Sequence, residues 1–132
     1  MHNRKVMVID DAQIDRYIAD KLITRCGFAS EIIAFESGPV ALKFLKSCRK
    51  GGEIPPDVIL LDINMPEMNG FEFLDEYAGL PEEVKSNCNI VMLSSSVHPD
   101  DRKRALESQY VCTFISKPLN AEKLAELERA MG

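Results

Sequence analysis

The feature that most constrains this chain is the recurrence of five short apolar runs, separated by segments with helical spacing. The runs are rich in β-branched residues and mostly continuous, which is typical of strands covered on both faces. They occupy residues 6–9, 32–35, 58–61, 90–93 and 111–115. Because strands joined by crossover helices run parallel, this repeated order predicts an α/β fold with an open, doubly wound parallel sheet.

The segments between the runs carry the spacing and the terminal residues of helices. Positions i, i+3, i+4 and i+8 of the first segment are Ile14, Tyr17, Ile18 and Leu22. Gly27 is predicted to end this helix, and Ser37 is predicted to begin the next. Pro81 closes or bends the third helix, and Pro99 opens the fourth.

Length and charge limit the class of protein. At 132 residues the chain is expected to form one domain, residues 1–132, without an output domain. Sixteen Lys and Arg residues against 21 Asp and Glu residues give a net charge of -5, which repels a nucleic-acid backbone. No uninterrupted apolar run exceeds four residues, so we expect neither a signal peptide nor membrane insertion. A cytoplasmic location is therefore predicted.

The four cysteines support the same location. They are Cys26, Cys48, Cys88 and Cys112. None belongs to a CxxC pair or lies near a histidine at zinc-site spacing. We interpret all four as small, buried apolar residues in a reducing cytosol.

Polar side chains follow the predicted strands at the edge where ligands bind in doubly wound sheets. Asp10 and Asp11 follow the first run, Asp62 the third and Ser94 the fourth, and Lys117 comes shortly after the fifth. Taken singly, Asp10 or Asp11 would be a helix N-cap, Ser94 a loop hydroxyl and Lys117 a solvated lysine. Together, three clustered carboxylates require a compensating cation, and Mg²⁺ prefers such oxygen ligands.

These residues belong to segments that closely resemble the receiver domain of two-component response regulators, the class that includes the chemotaxis regulators. The matching segments are VMVIDD, VILLDINMPEMNG, IVMLSSS and FISKP, and the resemblance covers essentially the whole chain. It implies a flavodoxin-like (βα)5 sandwich with strand order 2-1-3-4-5. It also implies a signalling protein, not an enzyme, that accepts a phosphoryl group from a sensor histidine kinase or a histidine phosphotransfer protein.

By this resemblance, Asp62 is the phosphoacceptor in a Mg²⁺-dependent reaction. Asp62 and Asp11 would bind the metal directly, and Asp10 largely through water. The backbone carbonyl of Asn64 would complete the protein ligands. A nucleophilic carboxylate needs this arrangement, because its own charge and that of the incoming phosphoryl group must be neutralised together.

The resemblance also assigns a switch. Ser94 would hydrogen-bond the phosphoryl group, Lys117 would pair with it, and Phe114 would turn inward to remodel the face of the fourth helix, fifth strand and fifth helix. Core packing is the alternative role for Phe114. Asn64 and Ser96 would control hydrolysis. Since Ser96 cannot orient water as an acid or amide would, we expect slow to moderate self-hydrolysis.

Two features depart from the family or add to it. Tyr110 and Val111 stand where the family usually has a Gly-Ala pair, which predicts a bulkier turn into the fifth strand. Arg102, Lys103 and Arg104 form a basic cluster on the predicted output helix. This cluster is interpreted either as a solvated face paired with neighbouring acids or as a docking patch for an acidic partner.

Two other functions compete with this interpretation. A haloacid-dehalogenase-like hydrolase needs a second Asp two residues after its nucleophile, and Asn64 at that position cannot protonate a leaving group. A receiver-like domain that docks without phosphorylation would not need the acidic site. The sequence does not identify the downstream protein target, and it leaves open a monomer or a phosphorylation-dependent dimer.

Overall fold

Five parallel strands form one sheet in the order β2-β1-β3-β4-β5, which confirms the predicted topology. The computed structural model describes residues 3–48, 52–95 and 98–131. The strands are β1 (Lys5–Ile9), β2 (Glu31–Phe35), β3 (Val58–Asp62), β4 (Asn89–Ser94) and β5 (Val111–Ser116). Each strand contains its predicted apolar run and extends it by one or two residues.

Six helices connect and flank the strands in the described part of the chain. They are α1 (Gln13–Cys26), α2 (Gly38–Ser47), α3 (Gly70–Ala78), α4 (Glu82–Lys85), α5 (Pro99–Glu107) and α6 (Ala121–Met131). The one-turn helix α4 was not predicted, and it begins directly after Pro81. The prediction that Pro81 closes or bends the third helix was wrong, because α3 already ends at Ala78 with Gly79 as its C-cap, and Pro81 is the N-cap of α4. The predicted fourth and fifth helices are α5 and α6.

The predicted helix boundaries are confirmed by their capping contacts. The Ser37 hydroxyl accepts a hydrogen bond from the backbone N–H of Val40 at the start of α2. At the start of α3, Asn69 and Glu72 form a reciprocal capping box. Gly27 ends α1 in the left-handed conformation, with a φ of 66°, which a side chain would disfavour.

The sheet separates two apolar layers, because successive side chains of a strand point to opposite faces. Met7 and Ile9 of β1 contact the layer beneath α2 and α3. Val6 and Val8 contact the layer beneath α1 and α6. All five residues of β1 and of β3 are buried, which explains why the runs are continuous rather than alternating.

Helix α1 packs on a different side from the one its apolar stripe suggests. Ile14 and Tyr17 are 63% and 58% exposed, whereas Ala19 and Ile23 are the buried residues of this helix. Ala19 and Ile23 are four residues apart and lie on one side. Asp15 lies one turn before Ala19, so this packing directs Asp15 toward the sheet.

The interpretation of the cysteines as four buried residues was wrong for two of them. Cys48 is buried and Cys88 half-buried, but Cys26 and Cys112 are exposed. Cys26 is the last residue of α1, and Cys112 lies on the edge strand β5 next to an irregularity in its pairing with β4. Across the described residues, no helix has the length and apolar character needed to cross a membrane.

Candidate functional site

Three carboxylates meet at the carboxyl edge of the sheet, as predicted. Asp10 and Asp11 follow β1, and Asp62 is the last residue of β3. One oxygen from each side chain lies within 4.8 Å of the others. Asp10 and Asp62 are buried at 3% and 4% exposure, while Asp11 is exposed. Two carboxylates of the cluster are thus buried, and the third is open to solvent.

The ammonium group of Lys117 lies among the buried carboxylates. Its Nζ is 2.7 Å from Oδ2 of Asp10, 2.9 Å from Oδ2 of Asp15 and 3.5 Å from Oδ1 of Asp62. Lys117 follows β5, and its backbone N–H donates to the carbonyl of Ser94, which fixes the start of this loop against β4. The alternative of a solvated lysine is therefore wrong.

The pKa values of Asp62 and Lys117 are both raised, but for different reasons. Burial, and then the charge of Asp10, raise the pKa of Asp62 to about 6, although Lys117 opposes the shift. Burial alone would lower the pKa of Lys117, but hydrogen bonds to Asp10 and Asp15 outweigh this effect and raise it. Asp62 is thus a carboxylate whose negative charge lacks full compensation from the described side chains.

Ser94 and Asn64 lie beside Asp62, the predicted phosphoacceptor. Ser94 is fully buried at the end of β4, and its Oγ accepts a hydrogen bond of 3.5 Å from the side-chain amide of Asn64. The backbone N–H of Asn64 points to Oδ1 of Asp62 across 3.4 Å. The loop after β3 therefore connects two predicted site residues. Ser96, the other predicted hydrolysis residue, lies outside the described residues.

Gly70 allows the loop after β3 to lie close to the end of that strand. The backbone N–H of Gly70 donates to the carbonyl of Ile63 at 2.9 Å. A Cβ on Gly70 would lie 2.8 Å from Cε of Met92 and 3.0 Å from the carbonyl oxygen of Asp62. The loop after β3 thus lies so close to the end of this strand that a side chain at Gly70 would require its neighbours to shift.

The N-cap interpretation of Asp10 and Asp11 was wrong. Ala12 is the N-cap residue of α1 and makes no side-chain capping bond. Oδ1 of Asp10 instead accepts the N–H of Ala12 itself at 3.0 Å. Arg16 donates to the backbone carbonyl of Asp10 at 2.8 Å, which ties α1 to the end of β1. Both carboxylates are thereby left facing the site.

Asp15 is the site residue that sequence reasoning missed. It lies in the first turn of α1, where an acidic side chain is ordinary because of the helix dipole. Its contact with Lys117 follows from the row of Asp15, Ala19 and Ile23 along the side that faces the sheet. The four-residue spacing of this row was the available signal, but the stripe beginning at Ile14 contains more apolar residues.

Phe114 lies in the apolar layer, at some distance along β5 from the carboxylates. It is 7% exposed, and the guanidinium of Arg102 lies 5.7 Å from its ring centroid. Phe114 and Arg102 line a groove of about 420 Å³ that also touches β5 and α6. The two roles predicted for Phe114, switching and core packing, are both compatible with a ring that faces the apolar layer beside this groove.

The bulky residues Tyr110 and Val111 lie at the start of β5, next to a shift in its register with β4. Tyr110 packs edge-on against Tyr77, with ring centroids 5.3 Å apart, and its hydroxyl accepts a hydrogen bond from Lys85. The predicted bulkier turn coincides with the shift in register between β4 and β5 at Ile90 and Val91. Unlike a Gly-Ala pair, this turn is anchored by aromatic packing.

The basic cluster on α5 is exposed, but it does not form the expected ion pairs. Within the described part of the chain, none of Arg102, Lys103 and Arg104 pairs with the neighbouring acidic residues of its own helix. Instead, Arg104 stacks 4.1 Å from the ring centroid of Phe71. The three basic side chains are therefore not held by ion pairs within α5, although this helix carries three acidic residues as well.

Comparison with known proteins gives concordant results. The family model described as "Response regulator receiver domain" matches residues 6–128. A response regulator receiver protein from Dyadobacter fermentans DSM 18053, known from a crystal structure, is 33% identical with a TM-score of 0.84, covering 96% of this chain and 97% of that one. Chemotaxis protein CheY of Listeria monocytogenes serovar 1/2a is 30% identical over 128 residues, covering 96% of this chain and 97% of that protein.

A longer relative is similar over part of its length. Two-component response regulator ORR1 of Oryza sativa subsp. indica is 28% identical over 127 residues, which cover 95% of this chain and 54% of that protein. The chain thus spans about half the length of this relative.

Proposed function

Because the chain belongs to the response regulator receiver domain family, we propose that it accepts a phosphoryl group on Asp62 in a cytoplasmic phosphorelay. The donor would be the phosphohistidine of a sensor histidine kinase or of a histidine phosphotransfer protein. The observation that carries this proposal is the Asp62 carboxylate. It is nearly buried, lies beside two other carboxylates, and has the Lys117 ammonium 3.5 Å away.

The carboxylates fit a divalent cation. Three oxygens within 4.8 Å of one another form a hard donor set, and the raised pKa of Asp62 reflects negative charge that a cation would offset. Asp10, Asp11, Asp62 and the backbone carbonyl of Asn64 are the residues we propose to hold Mg²⁺. A bound Mg²⁺ would neutralise part of the charge on Asp62 and on the incoming phosphoryl oxygens.

Phosphoryl transfer requires little further chemistry from the protein. An oxygen of Asp62 forms a bond to phosphorus, the phosphorus–nitrogen bond of the phosphohistidine breaks, and its electron pair stays on the imidazole. Lys117 donates to the phosphoryl oxygens, and so does the hydroxyl of Ser94. Asn64 and Ser96 control how water reaches the aspartyl phosphate. Self-hydrolysis is the only turnover in this scheme.

Output follows from contacts that exist only in the phosphorylated state. Ser94 is bound to Asn64 in the structure and would turn to the phosphoryl group. The space it leaves would let the Phe114 ring, which is already only 7% exposed, pack deeper into the apolar layer. This movement would change the groove between α5, β5 and α6, where we propose that a partner protein binds. Reversing a 1:99 population to 99:1 requires about 5.5 kcal/mol of differential stabilisation. Phosphorylation can also act by favouring a dimer through the same face.

A small-molecule phosphodonor tests the acceptor role without the kinase. We expect acetyl phosphate with Mg²⁺ to add one phosphoryl group, observed as a mass increase of the intact protein. Asp62→Asn removes the increase, whereas the control Asp75→Asn, on the exposed side of α3, retains it. No mass increase in the unsubstituted protein would favour a domain that docks without phosphorylation.

A further inference from the structure

The Lys117 ammonium is shared among three carboxylates, and this sharing limits what else it can bind. A lysine ammonium has three N–H donors. Three carboxylates surround Nζ: Asp10 at 2.7 Å, Asp15 at 2.9 Å and Asp62 at 3.5 Å. Hydrogen bonds to Asp10 and Asp15 use two of these donors, whereas the contact with Asp62 is an ion pair. A phosphoryl group on Asp62 would therefore find one N–H of Lys117 available, and a second hydrogen bond requires release of the contact with Asp10 or Asp15.

Asp15 is directed to Lys117 by the way α1 begins. An acidic residue at the third helical position often accepts the N–H of the N-cap residue, as Glu72 does at the start of α3. At α1 the N–H of the N-cap residue Ala12 is bound by Asp10 instead. Among the described residues, Lys117 is then the one ion-pair partner of the Asp15 carboxylate.

Asp15 is also the contact that costs least to release. Its side chain is 36% exposed, against 4% for Asp10 and 5% for Asp62. Water can replace Lys117 at Asp15, but not at the two buried carboxylates. Asp15 also lies outside the cluster that could hold a metal ion, so its release leaves that cluster intact.

We propose that Asp15 is a positioning residue that holds Lys117 toward α1 before phosphorylation and releases it to the phosphoryl group on Asp62. This inference rests on the proposed function, because it assigns a role within the same phosphoryl transfer. Part of the interaction between Lys117 and the phosphoryl group is offset by the loss of the Asp15 contact. Asp15 therefore sets how readily the site accepts a phosphoryl group, although it touches neither the phosphoacceptor nor the donor.

The test replaces Asp15 by its neutral isostere. With Asp15→Asn we expect the rate of phosphorylation by acetyl phosphate, at saturating Mg²⁺, to rise about three- to fivefold, as for loss of a partly exposed ion pair. Calorimetry should show a similar gain in affinity for beryllofluoride, a phosphoryl mimic. The control Asp20→Asn removes the same charge from an exposed position of α1 and should leave both quantities unchanged.

A double-mutant cycle distinguishes positioning from a general effect of charge or folding. In a Lys117→Met background, Asp15→Asn should change neither quantity, because Asp15 acts through the ammonium. An equal increase in both backgrounds would overturn the proposal, as would a wild-type rate in Asp15→Asn alone. Failure of the unsubstituted protein to be phosphorylated would instead overturn the proposed function. Thermal unfolding of each variant verifies that it is folded.

Discussion

The side-chain amide of Asn64 donates to the hydroxyl of Ser94 across 3.5 Å, which joins the loop after β3 to the end of β4. Both residues were predicted to act on the phosphoryl group, one by controlling water and the other by hydrogen bonding. In the structure they bind each other. In this structure, the Ser94 hydroxyl that the proposed switch would use therefore accepts a hydrogen bond from Asn64.

Replacement of Ser94 should separate phosphoryl acceptance from switching. Ser94→Ala leaves Asp62 and the carboxylates in place, so the protein should still gain a phosphoryl group. The Phe114 ring should then lose its response, since no hydroxyl moves out of its way. NMR spectra of the Phe114 ring, recorded with and without beryllofluoride, measure this response. A ring that shifts equally in Ser94→Ala and in the parent protein would contradict the switch.

Asp62→Asn should stabilise the protein when divalent cations are removed. Asp62 has its pKa raised from 3.8 to about 6, so ionised Asp62 destabilises the folded state. The cost is absent below about pH 4, where the group is protonated in both states, and it grows until about pH 6. Above that pH, Asp62→Asn should increase the free energy of unfolding by about 1–3 kcal/mol.

Urea unfolding in EDTA, repeated between pH 4 and pH 8, checks this dependence. The gain should be small at the acid end of the range and reach its full size at neutral pH. Asp75→Asn, whose side chain is exposed on α3, is the matched control and should show no such pH-dependent gain. An increase that is independent of pH would show that ionisation of Asp62 is not its cause.

Gly70→Ala should disturb the phosphoacceptor through the backbone. The new Cβ would lie 2.8 Å from Cε of Met92 and 3.0 Å from backbone atoms of Asp62 and Ile63. The end of the Met92 side chain can move aside, but the backbone atoms would also have to shift slightly. We expect a loss of about 1–3 kcal/mol in the free energy of unfolding, as for overpacking, together with slower phosphorylation.

Gly79→Ala provides the comparison for that variant. At Gly79 the new Cβ would meet only the carbonyl oxygen of Glu76, at an ordinary 3.5 Å. This protein should unfold and accept phosphoryl groups as the parent does. If both glycine variants behave alike, the close approach at Gly70 does not position Asp62.

The strands and the residues at their ends could be predicted because buried parallel strands have a recognisable sequence pattern. A run buried on both faces is continuously apolar, and the polar residue after it must lie at the carboxyl edge, as Asp62 and Ser94 do. The side of α1 that packs on the sheet could not be predicted in this way. Ile14 and Tyr17 carry larger hydrophobic side chains than Ala19, but it is the small Ala19 that is buried against the sheet.

The choice of the side of α1 that packs on the sheet is also why Asp15 was not predicted as a site residue. The residue was assigned to no site, because an acid in the first turn of a helix needs no explanation beyond the dipole. Its role depends on which neighbour occupies the N–H of Ala12, and that neighbour, Asp10, lies outside the helix. Such competition for one donor is a property of the folded loop and leaves no periodic pattern in the sequence.

The positions of the thiols have a practical consequence. Cys26 ends α1, Cys48 follows α2, Cys88 precedes β4 and Cys112 is the second residue of β5. In a parallel sheet all of these places belong to the pole opposite the carboxyl ends of the strands. Maleimide immobilisation through the exposed Cys26 or Cys112 would therefore orient the tethered molecules with the Asp62 edge of the sheet facing the solution. Surface-based binding measurements could then use the natural sequence, without an added tag.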